Sequence, residues 1–201
     1  MKENNWFDPF YIQSHLNEEE SNIQKNVRDF CNNELKPTVV ERNRKNEFDQ
    51  NLYPKFGSLG VLGQTVKTHG GSGTSNLAYG LVAYEFEKID SSYRSSISVQ
   101  SSLVIHPINE FGSKEQKDKY LPPLIKGEKI GCFGLTESEA GSDPTSMKTS
   151  FNKTKDGYII NGSKNWITNA PIADIFIIWA IEENKDHKSI KGFIIEKNTE
   201  G

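Results

Sequence analysis

The chain has 201 residues, of which 24 are basic and 27 acidic, so its formal net charge is −3. A balance this close to neutral excludes a general polyanion-binding protein, whose affinity depends on an excess of Lys and Arg. No apolar run approaches the ~18–20 residues of a membrane span. The first residues, MKENNWFDPF, have neither the apolar core of a signal peptide nor the basic character of a transit peptide.

The two cysteines, Cys31 and Cys132, form neither a CxxC pair nor a zinc-binding spacing. We therefore expect two reduced thiols in the hydrophobic core. Reduced thiols indicate a reducing compartment, which is the cytoplasm of a bacterium or, as the alternative, the mitochondrial matrix.

The first half of the chain has the period of amphipathic helices. Apolar residues from Ile23 to Leu35 recur on one face, which predicts a helix that begins at the cap Asn17 and ends or kinks at Pro37. Three more helices are predicted: one that begins after Ser75 and runs to Ile89, one over 92–105 with a stop at His106-Pro107, and one from the capping box Ser113-x-x-Gln116 to Gly127.

After Lys129 the pattern changes to short segments rich in β-branched and aromatic residues, with turn signals at Asp156-Gly157 and Asn161-Gly162. Strands are predicted over 131–135, 147–153, 158–163, 165–168, 175–181 and 192–197. Helices followed by strands predict an α+β fold. We expect a helical domain over 1–128 and an antiparallel β domain over 129–201.

A glycine-rich segment, Gly70 to Gly73, precedes the helix expected after Ser75. The dinucleotide fingerprint needs a third glycine where Asn76 stands, and no clear strand precedes the segment. A loop that leads into a helix N-terminus is therefore the preferred interpretation. An NAD-dependent oxidoreductase of the Rossmann type remains an alternative that depends on these glycines alone.

The segment 91–102 contains seven serines and a single charged residue, Arg94. Small side chains allow close approach of a ligand, and an Arg among hydroxyls can bind a carboxylate through two hydrogen bonds. A Ser-rich, partly exposed helix with a solvated Arg explains the same composition. The spacing does not decide between these two hypotheses.

Two segments of the second half could contact a ring system. The small-residue loop from Phe133 to Pro144 either forms a simple turn or presents backbone N–H groups to a ligand. In the predicted strand 165–168, Trp166 and Thr168 share a face, which suits either a core Trp or a surface that binds an aromatic ring.

Together these motifs resemble a known family. Phe133-Gly-Leu-Thr136-Glu with Gly141-Ser142-Asp143, followed by Asn161-Gly-Ser-Lys164 and Trp166-Ile-Thr168, resembles the paired flavin motifs of the acyl-CoA dehydrogenases. The segment 90–107 resembles the glutaryl-CoA dehydrogenase branch of that family. The resemblance extends from Phe7 to the last residue.

The resemblance implies an N-terminal helical domain, a middle β domain and a C-terminal helical bundle. It implies oxidation of the α,β bond of an acyl thioester with FAD as cofactor and, in the glutaryl branch, decarboxylation to crotonyl-CoA in lysine and tryptophan degradation. The residues it assigns to FAD are Phe133, Leu135, Thr136, Gly141, Ser142, Trp166, Ile167 and Thr168. Those it assigns to the acyl-CoA are Arg94, Ser95, Ser98 and Ser142.

The resemblance also implies what the 201 residues do not supply. The catalytic carboxylate of the family belongs to the bundle beyond Gly201, so no catalytic residue is expected here and the isolated chain is predicted to be inactive. An electron-transfer flavoprotein as acceptor and a homotetramer are implied for the full-length protein. The alternative is a non-catalytic module that binds acyl-CoA, flavin or a partner and has lost the chemistry.

Overall fold

The computed structural model describes residues 8–200. Helices precede strands along the chain, as the α+β prediction requires. The α-helices are α1 (Glu18–Phe30), α2 (Val39–Lys45), α3 (Leu52–Ser58), α4 (Asn76–Glu87), α5 (Ser91–Ser98), α6 (His106–Phe111) and α7 (Lys114–Ile125). The strands are β1 (Gly131–Gly134), β2 (Ser150–Lys153), β3 (Tyr158–Asn161), β4 (Ile175–Glu182) and β5 (Lys191–Glu196). Short 3-10 turns cover Ile12–His15, Pro144–Ser146, Ala170–Ile172 and His187–Ser189.

The predicted helix starts are confirmed by side-chain caps. Asn17 and Glu20 form a reciprocal capping box at α1, and Ser113 and Gln116 form another at α7. Ser75 accepts a hydrogen bond from the Ala78 amide at the start of α4. Each cap satisfies amide groups that have no partner within the helix. The short helices α2 and α3 were not predicted from the periodicity.

The expected helix stop at His106-Pro107 is wrong. A π-helical turn, Val99–Ile105, joins α5 to α6 without a break, and Pro107 lies in the first turn of α6. Because the helix continues through this point, Pro107 has no N–H to donate to the preceding turn, and the wider π-helical turn immediately before it is a local adjustment of the helix next to such a proline. A second π-helical turn, Cys31–Leu35, continues α1.

The helical layer packs around Phe56, whose ring meets Phe86 edge-on at a centroid distance of 5.3 Å. A buried carboxylate lies between α1 and α4. The carboxylate of Glu85 is buried and accepts hydrogen bonds from Gln24 Nε2 and Arg28 Nη2, both at 2.9 Å. These bonds supply the partners that a buried charge requires. Both cysteines are buried and unpaired, which confirms the prediction of core thiols.

The sheet is mixed, which corrects the expectation of an antiparallel β domain. Strand β4 runs parallel to β1, with Ile175 opposite Gly131, and parallel to β2, with Ile181 opposite Ser150. Among the strand pairs within residues 8–200, β2–β3 and β4–β5 are antiparallel. A parallel pair needs a long connection, and about forty residues separate β1 from β4, so the topology is available to this chain.

Gln100 joins the helical layer to the start of the sheet. Its fully buried amide donates to the carbonyl groups of Leu124 and Lys129, both at 2.9 Å, and accepts from the Gly131 amide at 2.7 Å. Three backbone groups at the end of α7 and the start of β1 are satisfied by this one side chain. The side chain therefore fixes where β1 leaves the helices.

The glycine segment Gly70 to Gly73 lies in a loop that leads into α4, as the preferred interpretation stated. The Rossmann alternative is wrong, because the first strand within residues 8–200 is β1, more than fifty residues later. In the same part of the chain, no helix is both long and apolar enough to cross a lipid bilayer.

Candidate functional site

The two motifs of the β region that carry the family resemblance, around Thr136 and Trp166, lie side by side. The segment that follows β1 and the segment that follows β3 are joined by a backbone hydrogen bond from the Asn165 amide to the Thr136 carbonyl, at 2.9 Å. This contact places Thr136 beside the turn that carries Trp166. Two segments about thirty residues apart in sequence thus form one surface.

A buried ion pair joins the same two segments. Lys164 Nζ lies 2.7 Å from Glu137 Oε1, and both side chains are only 8% exposed. The remaining carboxylate hydrogen bonds come from the amides of Lys148, at 2.7 Å to Oε2, and Thr149, at 3.0 Å to Oε1. Burial alone would raise the pKa of Glu137, but the bonds from Lys164 and Thr149 outweigh it and lower the pKa to about 2.

Trp166 is not in a strand, so the predicted strand 165–168 is wrong. Its backbone has φ 60° and lies in a bend after β3, and its side chain is 92% exposed. A left-handed residue cannot continue a β ladder, and the bond from Asn165 to Thr136 turns the chain away from β2. The hypothesis of a core Trp is therefore also wrong, and the predicted common strand face of Trp166 and Thr168 does not exist.

The hydrogen-bonding groups of this surface are available to a ligand. Within residues 8–200, the hydroxyls of Thr136 and Thr168 and the indole N–H of Trp166 have no side-chain hydrogen bond to the protein. Ile167 lies half-buried between the last two. A methyl group at Gly141 would meet no atom within 4 Å, so packing within the chain does not require glycine there.

The other residues predicted to contact FAD differ in exposure. Phe133 is partly buried, and its ring meets Trp179 edge-on at 5.9 Å, so it packs on the sheet. Leu135 is partly buried, and Ser142 is exposed in the loop beyond Ala140. Glu137 and Ala140 exchange backbone hydrogen bonds at 3.1 and 3.2 Å, which closes a tight turn at the start of that loop. The interpretation as a turn is confirmed for this part.

The residues predicted to hold the acyl group share one face of α5. Arg94, Ser95 and Ser98 are each partly exposed. Arg94 is engaged by an acidic neighbour, because its Nε donates to Glu87 Oε2 at 2.7 Å. Hydrogen bonding from Arg94 lowers the pKa of Glu87. The Arg is therefore neither fully solvated nor in a closed pocket.

Asn169 brings the two predicted sites together. Its side-chain amide donates to the Gly131 carbonyl at 3.1 Å and reaches the Ser96 carbonyl on α5 at 3.5 Å. The segment that ends in Thr168 therefore lies against the Ser-rich helix. Asn169 was missed by sequence reasoning, although its left-handed φ of 71° is a conformation that Asn adopts more readily than most residues.

The pairs Glu137–Lys164 and Arg94–Glu87 were also not predicted as pairs. The first joins residues 27 positions apart, and the second depends on how the chain turns between α4 and α5, so neither leaves a local periodic signal. The resulting arrangement is an exposed indole flanked by free hydroxyls, next to a helix that carries a guanidinium. It suits a flat aromatic ring with a polar edge, and a second ligand group that bears a carboxylate.

Comparison with known families gives two matches that together cover most of the chain. The family described as "Acyl-CoA dehydrogenase, N-terminal domain" matches residues 17–128. The family described as "Acyl-CoA dehydrogenase, middle domain" matches residues 132–201.

Individual relatives agree with these matches. The chain is 40% identical to a short-chain specific acyl-CoA dehydrogenase of Clostridium acetobutylicum, over 92% of this chain and 50% of that protein. It superposes with a TM-score of 0.91 on the glutaryl-CoA dehydrogenase of Mycobacterium smegmatis in complex with FADH2, at 40% identity, over 96% of this chain and 49% of that chain. The butyryl-CoA dehydrogenase of Megasphaera elsdenii gives a TM-score of 0.84 at 39% identity, over 92% and 50%. The chain thus spans about half the length of the curated relatives it matches.

Proposed function

The chain belongs to the acyl-CoA dehydrogenase family, and from this premise we propose that the full-length protein is an FAD-dependent dehydrogenase of a dicarboxylic acyl-CoA, with glutaryl-CoA as the favoured substrate. One observation carries the proposal most directly. An exposed Trp166 indole and two hydroxyls without a protein partner, on Thr136 and Thr168, belong to segments that a buried ion pair holds together.

These residues fit a flavin. The indole offers a flat apolar surface, and the Thr168 hydroxyl can donate to a ring nitrogen such as N5. The backbone at Gly141 and the hydroxyl of Ser142 lie at the open side of the loop, where a ligand can approach. When bound, FAD would accept a hydride from the acyl chain. Leu135 and Ile167 would exclude water from the edge of the ring, while Phe133 supports the sheet beneath it.

The serine face of α5 supports the choice of substrate. Arg94 can exchange its bond to Glu87 for a bond to the free carboxylate of a glutaryl group, and Ser95 and Ser98 offer hydroxyls along the same face. Ser142 would meet the CoA arm. Relatives that act on glutaryl-, butyryl- and isovaleryl-CoA share this fold, so substrate preference has to come from side chains such as Arg94.

We further propose that the proton-abstracting carboxylate comes from outside these 201 residues. The three carboxylates of the flavin loop are engaged: Glu137 by Lys164, Glu139 by Lys148, and Asp143 by the Thr145 amide. A general base has to lie within ~2.6–3.2 Å of the group from which it takes the α-proton, and the family resemblance assigns that position to a carboxylate of the C-terminal bundle rather than to this loop. In the glutaryl branch, the oxidised product would then lose carbon dioxide to give crotonyl-CoA.

The same proposal includes an electron-transfer flavoprotein as acceptor, a homotetramer and a reducing compartment. The last point is supported by the two cysteines, which are buried and free rather than paired. Such thiols persist without oxidation in the cytoplasm.

The test compares the full-length protein with the 201-residue chain. The full-length protein is expected to be yellow after FAD is added, and to reduce a dye when glutaryl-CoA is supplied. The 201-residue chain is expected to give no dye reduction alone. A colourless full-length protein that stays colourless with added FAD would overturn the proposal. Turnover by the short chain alone would overturn the assignment of the base.

A second candidate function is binding of acyl-CoA or flavin without catalysis. The observation that favours it is that Glu137, Glu139 and Asp143 each have a hydrogen-bond or ion-pair partner within the chain. The two functions differ in one measurement. A non-catalytic protein would bind FAD and glutaryl-CoA at full length, yet show no bleaching of the flavin absorbance when the thioester is added without an acceptor.

A further inference from the structure

We infer that Glu137 and Lys164 are positioning residues that set the distance between the Thr136 and Trp166 segments, and so give the flavin-facing surface its shape. The inference rests on the proposed function for the identity of the ligand. It goes beyond that function by assigning a role to two side chains that face the protein interior.

The contacts of Lys164 support this role. Its ammonium group donates to the Leu135 carbonyl at 2.9 Å and to Glu137 Oε1 at 2.7 Å, with Met147 Sδ at 4.0 Å. Lys164 lies two residues before Trp166, and its partners lie on either side of Thr136. One buried cation of the Trp166 segment therefore binds a backbone oxygen and a side-chain oxygen of the Thr136 segment.

The contacts of Glu137 complete the connection. Its carboxylate accepts from the amides of Lys148 and Thr149, which lead into β2, and its own backbone closes the turn with Ala140. The loop between these ends carries Gly141 and Ser142. The carboxylate thus closes the loop at its base, while Lys164 joins that base to the Trp166 segment.

The chain is also closely packed at this point. A Cβ at Gly162 would lie 2.3 Å from Thr149 Oγ1, and the glycine has φ 153°. The backbone after β3 therefore passes directly over the residue whose amide binds Glu137. This close approach brings Lys164 within reach of the carboxylate.

Stability alone does not explain such a pair. A buried ion pair loses much of its Coulomb attraction to desolvation, and apolar residues of equal size often stabilise a fold as well. In some proteins a buried ionic or polar group instead selects one arrangement of the chain over others. Here the arrangement selected is the one that leaves the indole of Trp166 exposed and the hydroxyls of Thr136 and Thr168 free.

The test uses Lys164→Met, an unbranched side chain one atom shorter that carries no charge, and Glu137→Gln, which keeps the shape of the side chain. The matched control is Lys148→Met, because Lys148 pairs with Glu139 in the same loop but both side chains are more than 70% exposed. Lys164→Arg is the conservative variant. Because it keeps the positive charge, it should retain part of the wild-type behaviour. Folding of every variant is checked by circular dichroism.

The first measurement is hydrogen exchange in the 201-residue chain without flavin. In Lys164→Met and Glu137→Gln, we expect faster exchange confined to residues 135–149 and 163–169, with the helical layer unchanged. Lys148→Met should match the wild type, and Lys164→Arg should lie between wild type and Lys164→Met. This measurement does not depend on the cofactor.

The second measurement is FAD affinity and the flavin absorption spectrum of the full-length protein. We expect affinity to fall about ten-fold or more, equivalent to the loss of one or two hydrogen bonds, with a shifted spectrum. If the wild-type full-length protein does not bind FAD, the proposed function is wrong. Hydrogen exchange would still decide whether the Glu137–Lys164 pair joins the two segments.

The inference is overturned if a folded Lys164→Met or Glu137→Gln variant keeps wild-type exchange in both segments, or if the control produces the same change as either. If Lys164→Met does not fold, Glu137→Gln decides. If neither variant folds, the pair supports the whole domain, and the positioning role is wrong.

Discussion

Arg94 and Glu87 form an ion pair across the turn from α4 to α5, with 2.7 Å between Arg94 Nε and Glu87 Oε2. Ser91 donates a further hydrogen bond to the same carboxylate, at 2.6 Å. The Arg side chain is 39% exposed, so solvent and a ligand can both reach it. The pair holds the guanidinium on the face of α5 that Ser95 and Ser98 share, where it can meet the end of an acyl chain.

Arg94→Ala is expected to lower the activity of the full-length protein on glutaryl-CoA more than its activity on butyryl-CoA. Loss of a charge-assisted hydrogen bond to the substrate carboxylate, worth about 1.5–3 kcal/mol, should lower kcat/KM for glutaryl-CoA by roughly 10–10²-fold. The value for butyryl-CoA should fall far less, since that substrate has no free carboxylate. Steady-state kinetics with both thioesters on one preparation is the measurement. Equal losses on the two substrates would show that Arg94 only supports the fold.

Trp166→Ala is expected to weaken flavin binding without destabilising the chain. The indole is 92% exposed, so its removal should change the free energy of unfolding by less than about 0.5 kcal/mol. Loss of ring stacking should lower FAD affinity by roughly 3–10-fold. The control is Trp179→Ala, whose ring packs on Phe133 and whose loss should lower the melting temperature. A Trp166→Ala protein that melts early, or binds FAD normally, contradicts this assignment.

Gln100→Leu is expected to be strongly destabilising, by roughly 2–4 kcal/mol, because three buried backbone groups lose their partner. Denaturant unfolding followed by circular dichroism measures the difference. Gln50→Leu, at an exposed position, is the matched control and should stay close to wild type. Similar unfolding midpoints for the two variants would mean that Gln100 does not join the layers.

The stability difference between wild type and Glu137→Gln should depend on pH. The pKa of Glu137 falls from its ordinary 4.5 to about 2 on folding, which corresponds to roughly 3 kcal/mol at neutral pH. Because the folded pKa is the lower one, this contribution is complete above about pH 4.5 and is lost as the pH falls towards 2. Urea unfolding of both proteins between pH 3 and 7 measures it. A constant difference, or an equal effect from Glu139→Gln, would contradict the prediction.

The two thiols are expected to resist modification in the native chain. Cys31 and Cys132 are 1% and 0% exposed, and burial raises the pKa of both to about 12, so almost no thiolate forms at pH 8. A colorimetric thiol reagent should react with neither until denaturant is added, and then with both. Rapid labelling of one thiol at native pH would show that its surroundings open.

The sequence by itself determined the helix starts and the change from helices to strands. Asn17, Ser75 and Ser113 cap helices through bonds to amides only three residues away, so the signal for each helix start lies within one turn of sequence. The turn signal at Asp156-Gly157 is equally local, because it lies directly between β2 and β3. The motifs that carry the family resemblance also identify Thr136, Trp166 and Arg94 as candidate site residues from the sequence.

Only the tertiary structure decided how those residues are presented. The exposed, left-handed Trp166 depends on the Asn165 bond to Thr136 and on the pair between Glu137 and Lys164, which connect segments about thirty residues apart. The parallel pairing of β4 with β1 and the engagement of Arg94 by Glu87 also follow from packing. A local pattern carries no record of such contacts, because their energy depends on burial and on partners that the fold brings together.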